Sequence, residues 1–366
     1  MNLYEDQIQK IAETEELWKK LDGHRLLITG ATGMIGKCLV DVIARRNQLL
    51  EQRLHGTGNP SEKTCCQVVA LSRDEKKARE RFREYWGSAF FCYISADVNQ
   101  KLKELGTVDY MIHAASNTHP LQYSMDPVGT ITSNVFGTKN LLDYGVTHGL
   151  KRFCFLSSVE IYGEYQEKDR GKNASAGDGR FTEQDLGYID CNTLRAGYPE
   201  SKRLGETLCN AYGQAYGLDF VIPRICRTYG PTMQNSDSKA LAQFIKKAAE
   251  GKDIVLKSRG EQQYSYCFVT DIVKGILFVL SNGQSGEAYN IAASEGNLTL
   301  GELARLLADI AGTRVVFELP AEEESRGYSA ATKAMLNAGK LEKLGWKAQV
   351  SLEDGLRATL EELGKQ

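Results

Sequence analysis

The sequence predicts an α/β fold: a doubly wound parallel sheet followed by a smaller, mixed C-terminal lobe. Three observations carry this expectation. Short apolar runs alternate with helix-period segments from residue 25 to residue 225, the order in which strands and crossover helices build a parallel sheet wound on both faces. The first of these runs, "RLLITG" (25–30), reads as a short buried strand that ends in glycine. The chain, 366 residues with 42% hydrophobic and 25% charged content, also exceeds what a single core usually organises.

Leu3, Ile8, Ile11, Leu17, Trp18 and Leu21 recur at helical spacing, which predicts an amphipathic helix within residues 1–22 that docks on the body or on a second copy. "RLLITG" (25–30) reads as a buried strand ending in glycine, and "MIGKCLVDVIARR" as the helix after it. Residues 47–66 are polar and read as a loop. "QVVALSR" (67–73) is a strand and "DEKKARERFREYW" a charged helix. "FFCYISADV" (90–98) and "VDYMIHAA" (108–115) are strands, 126–148 a long helix, and "RFCFLSS" (152–158) a strand. A helix from the "YPESK" stretch to about 216 precedes the strand "LDFVIPRI" (218–225). Between them, 165–187 is rich in Gly, Ser and charge and reads as a surface excursion placed to cover a ligand. The expected division is a dinucleotide-binding domain over 23–230 and a substrate lobe over 231–366, with 263–289 returning to the first domain.

Lys+Arg 45 against Asp+Glu 47 gives no sign of a nucleic-acid or membrane partner. Nine scattered cysteines, odd in number and without a Cys-x-x-Cys pair, suit reduced thiols in a cytoplasm better than disulfides or zinc. Five dispersed histidines argue against a metal centre. The acidic N-terminus is unlike a signal peptide, and no apolar run is long enough to cross a membrane.

"GATGMIG" places Gly30, Gly33 and Gly36 between a strand and a helix. Such a turn lets backbone approach a pyrophosphate while the helix N-terminus presents free N–H groups and positive dipole. "YPESK" sets Tyr198 one helical turn before Lys202, so both point into the same space. A phenol with pKa near 10 is a poor base, but a neighbouring ammonium and an oxidised nicotinamide favour its phenolate, enabling it to take a proton from a sugar hydroxyl as hydride leaves the same carbon.

The G-x-x-G-x-x-G turn, together with "HAAS" (113–116), "SSVEIYG" (157–163), "YPESK" (198–202), "RICRTYGP" (224–231) and "YCFVTD" (266–271), resembles the extended short-chain dehydrogenase/reductase family, particularly its nucleotide-sugar epimerases and dehydratases. The resemblance covers about residues 24–364 and implies a Rossmann domain, a nucleotide-linked sugar substrate and a homodimer. It implies a cofactor set of Gly30, Thr32, Gly33, Met34, Ile35 and Gly36, then Ser72, Arg73, Asp97 and Val98, then Ala114, Ala115 and Ser116, with Tyr198 and Lys202. It gives Ser158 the role of hydrogen-bonding the substrate oxygen beside Tyr198. The cofactor is NAD(P). Arg73, where relatives carry an acid for the ribose hydroxyls, can pair with a 2′-phosphate and favours NADP over NAD; otherwise Asp74 takes the ribose.

Oxidation at sugar C4 opens three outcomes: epimerisation, dehydration and decarboxylation. Glu160 stands where similar dehydratases and decarboxylases carry a glutamate, favouring those branches over a 4-epimerase, although Val159 cannot be the aspartate that many dehydratases use. Tyr264 replaces the arginine that grips the diphosphate in relatives, leaving Arg227 and Arg326 as candidate substrate residues. Two other readings stay open: a net NADP-dependent reductase of a keto sugar or other carbonyl, and a non-catalytic cofactor-sensing protein.

Overall fold

The computed structural model describes residues 2–57, 65–118, 125–164, 179–318 and 332–364. Its strands are β1 (Arg25–Thr29), β2 (Gln67–Ser72), β3 (Phe91–Ser95), β4 (Tyr110–His113), β5 (Arg152–Phe155), β6 (Ser157–Ser158), β7 (Phe220–Ile225), β8 (Arg227–Tyr229), β9 (Ile254–Leu256), β10 (Gln263–Phe268), β11 (Glu287–Ile291), β12 (Asn297–Thr299), β13 (Val315–Phe317) and β14 (Lys333–Ala334). The large sheet runs β3-β2-β1-β4-β5-β7-β11, with β6 also on β7, and every pairing in it is parallel. Leu26 of β1 lies between Val68 and Tyr110. Sequential strands therefore run outward in opposite directions from β1 and β4, which opens a crevice at their carboxyl ends.

The inner strands form because their apolar runs are shielded on both faces, β4 and β7 being buried at every residue, whereas the edge strand β3 is buried only at Phe91. The run 152–158 divides into β5 and β6, the second of which ends at Ser158. The charged helix after β2 is shorter than expected, Glu75–Arg81, capped by Asp74, whose carboxylate accepts the Lys77 N–H at 3.0 Å.

Two expectations are corrected. The polar stretch from 47 is not a loop, because the helix that starts at Met34 continues to Thr57. Gln48, Leu49, Leu50, Glu51 and Gln52 are all good helix formers. Asn47 is buried rather than solvated, exchanging hydrogen bonds with the Cys66 backbone N–H and carbonyl at 2.9 Å each. The leading helix breaks at Thr14 into Leu3–Glu13 and Glu15–Trp18, and the Thr14 hydroxyl donates back to the Lys10 carbonyl at 2.8 Å. Arg46 docks this pair on the body. It is fully buried, reaches Glu15 and Asp22 at 2.7 Å each, and lies 5.7 Å from the Trp18 ring.

Beyond β7 the chain builds a second sheet, β12-β10-β14, with β8 also paired to β10, and a separate β9–β13 ladder. Of the segment 263–289, β10 lies in this second sheet; the helix Val269–Asn282 packs beside β7, and β11 joins the large sheet. Among the described residues no helix is long and apolar enough to cross a membrane.

Candidate active site

The expected cofactor residues converge on one cleft of about 1040 Å³ at the carboxyl ends of β1 and β4: Gly30, Thr32, Gly33, Met34, Ile35 and Gly36 from the glycine turn, Ser72, Arg73, Asp97, Val98, Ala114, Ala115 and Ser116 from the neighbouring strand ends, and Tyr198 with Lys202. Gly30 has φ of +67°, and a Cβ there would sit 2.7 Å from the Ala114 and Ala115 backbone. A Cβ on Gly36 would come within 2.6 Å of Ala31 and Gly30, so the helix start is drawn tightly under the turn. At Gly33 a Cβ would meet only the Gly30 carbonyl, at 3.1 Å, which leaves the turn open toward the cleft. This cradle, ending in the helix N-terminus at Met34, fits a dinucleotide pyrophosphate.

Beneath the turn, the Thr29 hydroxyl accepts the Ala115 N–H at 3.2 Å and contacts His113 Nδ1 at 2.8 Å, while His113 Nε2 meets Thr138 at 3.1 Å. Complete burial holds the His113 imidazole well below its usual pKa, so it is neutral and supports the strand ends. At the end of β2, Ser72 and Tyr93 share a hydrogen bond of 3.1 Å, the Arg73 side chain is exposed, and Lys77 reaches Gln234 at 2.6 Å.

Ser158 ends β6 and accepts the Glu160 N–H at 3.2 Å, opening a single 3-10 turn, Val159–Tyr162. Tyr198 and Lys202 lie one turn apart on the helix Gly197–Tyr216, both buried, and the Tyr198 and Ser158 hydroxyls are hydrogen-bonded. Burial pushes the Tyr198 phenol up to about 12, an effect that Ser158 partly opposes. Burial likewise lowers Lys202 to about 8, with Glu206 pulling the other way. Lys202 Nζ donates to the Leu156 carbonyl at 2.8 Å and lies 4.8 Å from the Phe155 ring centre, which anchors the helix to the end of β5.

Sequence reasoning missed Asn134. It lies at the centre of the helix Pro127–Thr147 and is fully buried, and its amide donates to Ser201 Oγ at 2.9 Å; that hydroxyl in turn donates to the Tyr198 carbonyl at 2.8 Å. An asparagine on the packed face of that helix was the available signal.

Glu160 is held from two sides: its Oε2 accepts from Arg195 Nη2 at 3.2 Å and its Oε1 from Arg227 Nη2 at 3.3 Å. The Arg227 guanidinium carbon lies 3.4 Å from the centre of the Tyr264 ring. Arg227 and Tyr264 thus meet through adjacent strands, β8 and β10. Arg326 lies outside the described residues, as do residues 165–178 of the expected covering segment.

A family model described as "NAD dependent epimerase/dehydratase family" matches residues 26–292. The chain belongs to that family. Its expected character as a nicotinamide-dependent enzyme of the extended short-chain dehydrogenase/reductase family stands with that match. Among curated relatives, UDP-glucuronic acid decarboxylase 3 of Arabidopsis thaliana is 30% identical over 332 residues, covering 91% of this chain and 86% of the relative. UDP-glucuronic acid decarboxylase 1 of Xenopus tropicalis is 28% identical over 366 residues, covering 100% of this chain and 78% of the relative. Among solved structures, the dTDP-glucose 4,6-dehydratase DesIV of Streptomyces venezuelae, with NAD and TYD bound, superposes with a TM-score of 0.73 at 26% identity, covering 93% of this chain and 97% of that one.

Proposed function

We propose that this family member decarboxylates a nucleotide-linked uronic acid, with UDP-glucuronate as the first substrate to test, through transient oxidation at sugar C4. A bound nicotinamide dinucleotide supplies the acceptor and later the donor of hydride. Tyr198 takes the C4 hydroxyl proton, helped by the Lys202 charge one turn away, and Ser158 holds the same oxygen. With a carboxylate on C5, the C4 ketone is a β-keto acid, which releases carbon dioxide as the carbonyl accepts the electron pair; the resulting enolate takes a proton at C5 from water, and the regenerated ketone takes hydride back at C4 and the proton from Tyr198. No base at C5 is required, whereas dehydration across C5 and C6 needs one.

The observation that carries the reading is the state of Glu160: both of its carboxylate oxygens already accept from Arg195 and Arg227. A carboxylate engaged in that way serves better as a fixed electrostatic element than as a mobile C5 base. The relatives named UDP-glucuronic acid decarboxylase support the same branch. Incubation with UDP-glucuronate, read by product mass, should give loss of carbon dioxide. An unchanged mass would point to epimerisation, and loss of water from UDP- or dTDP-glucose to dehydration; either result sinks the decarboxylase reading. The reaction belongs in the cytoplasm, where the nine free thiols stay reduced.

For the cofactor we infer NADP. The Asp74 carboxylate is engaged as a helix cap, while the Arg73 and Lys77 side chains border the cleft at the end of β2. Cations there match a 2′-phosphate better than a bare ribose. Arg73→Glu should weaken NADP+ binding by about tenfold or more while NAD+ changes by less than about threefold. Calorimetric titration with NADP+ and NAD+ checks this, and a wild-type protein that binds NAD+ the more tightly removes the inference. Steady consumption of NADPH by a keto sugar would instead favour a net reductase.

A further inference from the structure

The second sheet brings two hydrogen-bond donors that find no acceptor among the described residues to the same wall of the cleft. Arg227 and Tyr266 are direct partners in the β8–β10 register, so their side chains leave the sheet on the same face, and both border the cleft. Tyr266 is 1% exposed, and its hydroxyl has no hydrogen-bond partner among the described residues. Arg227 Nη1 is likewise closed off from solvent without an acceptor among them. Buried donors are ordinarily paired, because an unmade hydrogen bond forfeits the desolvation cost of the group. Two of them, side by side at a substrate cleft, point to an acceptor that arrives with the ligand.

Their surroundings fix what that acceptor is. The Arg227 guanidinium carbon lies over the Tyr264 ring, 3.4 Å from its centre, and the Tyr264 and Tyr266 rings meet edge to face with centres 6.3 Å apart. The other terminal nitrogen, Nη2, is committed to Glu160 at 3.3 Å. Glu160 in turn follows Ser158, which receives the Glu160 N–H. The pair of donors is therefore tied to the catalytic turn through one carboxylate. Glu160 is shared with Arg195, so it does not answer the Arg227 charge alone. A guanidinium N–H and a phenol O–H on neighbouring strands form a charge-assisted two-point site suited to a carboxylate.

We propose that Arg227 and Tyr266 together recognise the carboxylate of the substrate sugar and make the enzyme select a uronate over the corresponding neutral hexose. This rests on the nucleotide-uronate reading above and adds specificity-determining residues to it. The arrangement also explains why Tyr264 is aromatic: its ring backs the guanidinium delivered from the next strand, so the fork reaches the sugar already oriented.

The test measures binding by calorimetry to the protein loaded with reduced cofactor, which cannot accept hydride from the sugar, with UDP-glucuronate, UDP-glucose and UDP as probes and wild type, Arg227→Gln and Tyr266→Phe as proteins. Wild type should bind UDP-glucuronate about tenfold or more tighter than UDP-glucose. Arg227→Gln should abolish that preference, and Tyr266→Phe should reduce it by about fivefold, with UDP affinity within about threefold of wild type in both. Because the Tyr266 hydroxyl has no partner among the described residues, Tyr266→Phe should melt no lower than wild type, which separates ligand recognition from a structural role. A parallel loss of UDP affinity would assign Arg227 to the diphosphate and overturn the proposal, as would an unchanged preference in Arg227→Gln. Binding is read independently of turnover, so a wild type that prefers UDP-glucuronate but does not decarboxylate it sinks the reaction and keeps this site. Failure to bind any of the three probes sinks both.

Discussion

Tyr198→Phe is expected to lower kcat by about a thousandfold, within the span of about 10²–10⁴ that a positioned proton-transfer group contributes. The phenol is pushed up to about 12 by burial, so it is protonated in the resting protein and has to be made acidic by its surroundings during turnover. In the proposed mechanism Lys202, one turn away, supplies that help, beside Arg195, whose charge already lowers the phenol in the resting protein. Burial brings Lys202 down to about 8, which leaves it largely charged at neutral pH, and it loses its charge as the pH rises through that value. The favourable field at the phenol therefore weakens above about 8, even as hydroxide makes proton loss easier. The phenylalanine variant keeps the buried ring and loses only a hydroxyl that is hydrogen-bonded to Ser158, so cofactor affinity should stay within about threefold and the melting temperature near that of wild type. Turnover within about tenfold of wild type would remove Tyr198 from the chemistry.

The placement of the proposed catalytic pair was legible in the sequence because its information is local. Tyr198 and Lys202 are placed by helix periodicity alone, and Gly30 and Gly36 by the need for backbone where a Cβ would collide with neighbouring backbone. The inner strands of the large sheet were legible because parallel strands buried on both faces leave unbroken apolar runs. Two kinds of information were not legible. The continuation of the helix past Asn47 was hidden by polarity, since an asparagine that anchors the Cys66 backbone has the same letter as one in a solvated loop. The environment of Glu160 was hidden by distance: Arg195 arrives from just before the catalytic helix, and Arg227, Tyr264 and Tyr266 come from strands whose pairing no local pattern states. Residue identity proposed an anion-binding arginine at 227. Only the β8–β10 register shows a second donor beside it.

Arg224→Met should be the most destabilising single change behind the site, costing about 3–5 kcal/mol, because it strands a buried carboxylate. Arg224 makes a two-pronged pair with Glu206, at 3.0 Å through Nε and 2.7 Å through Nη2. Its Nη1 donates to the Tyr162 hydroxyl at 3.0 Å and the Glu183 carbonyl at 2.9 Å. Tyr162 passes the connection to Asn290 on β11 at 2.6 Å, and Asn290 holds the Phe181 and Asn337 carbonyls at 2.9 and 3.1 Å. One guanidinium thus joins the catalytic helix, the turn carrying Glu160, the large sheet and the C-terminal segment. The double variant Glu206→Met/Arg224→Met should recover most of the lost stability, since two charges that leave together impose no uncompensated burial. Chemical denaturation of both variants checks the sign, and a single variant within about 1 kcal/mol of wild type would show that the pair carries little. The double variant also tests a link to function. Glu206 lies one turn beyond Lys202 and opposes the burial that lowers its pKa. Without Glu206, Lys202 should lose its proton below the wild-type value of about 8, so the alkaline loss of the Lys202 contribution to kcat should move to lower pH even in a protein whose stability has been restored.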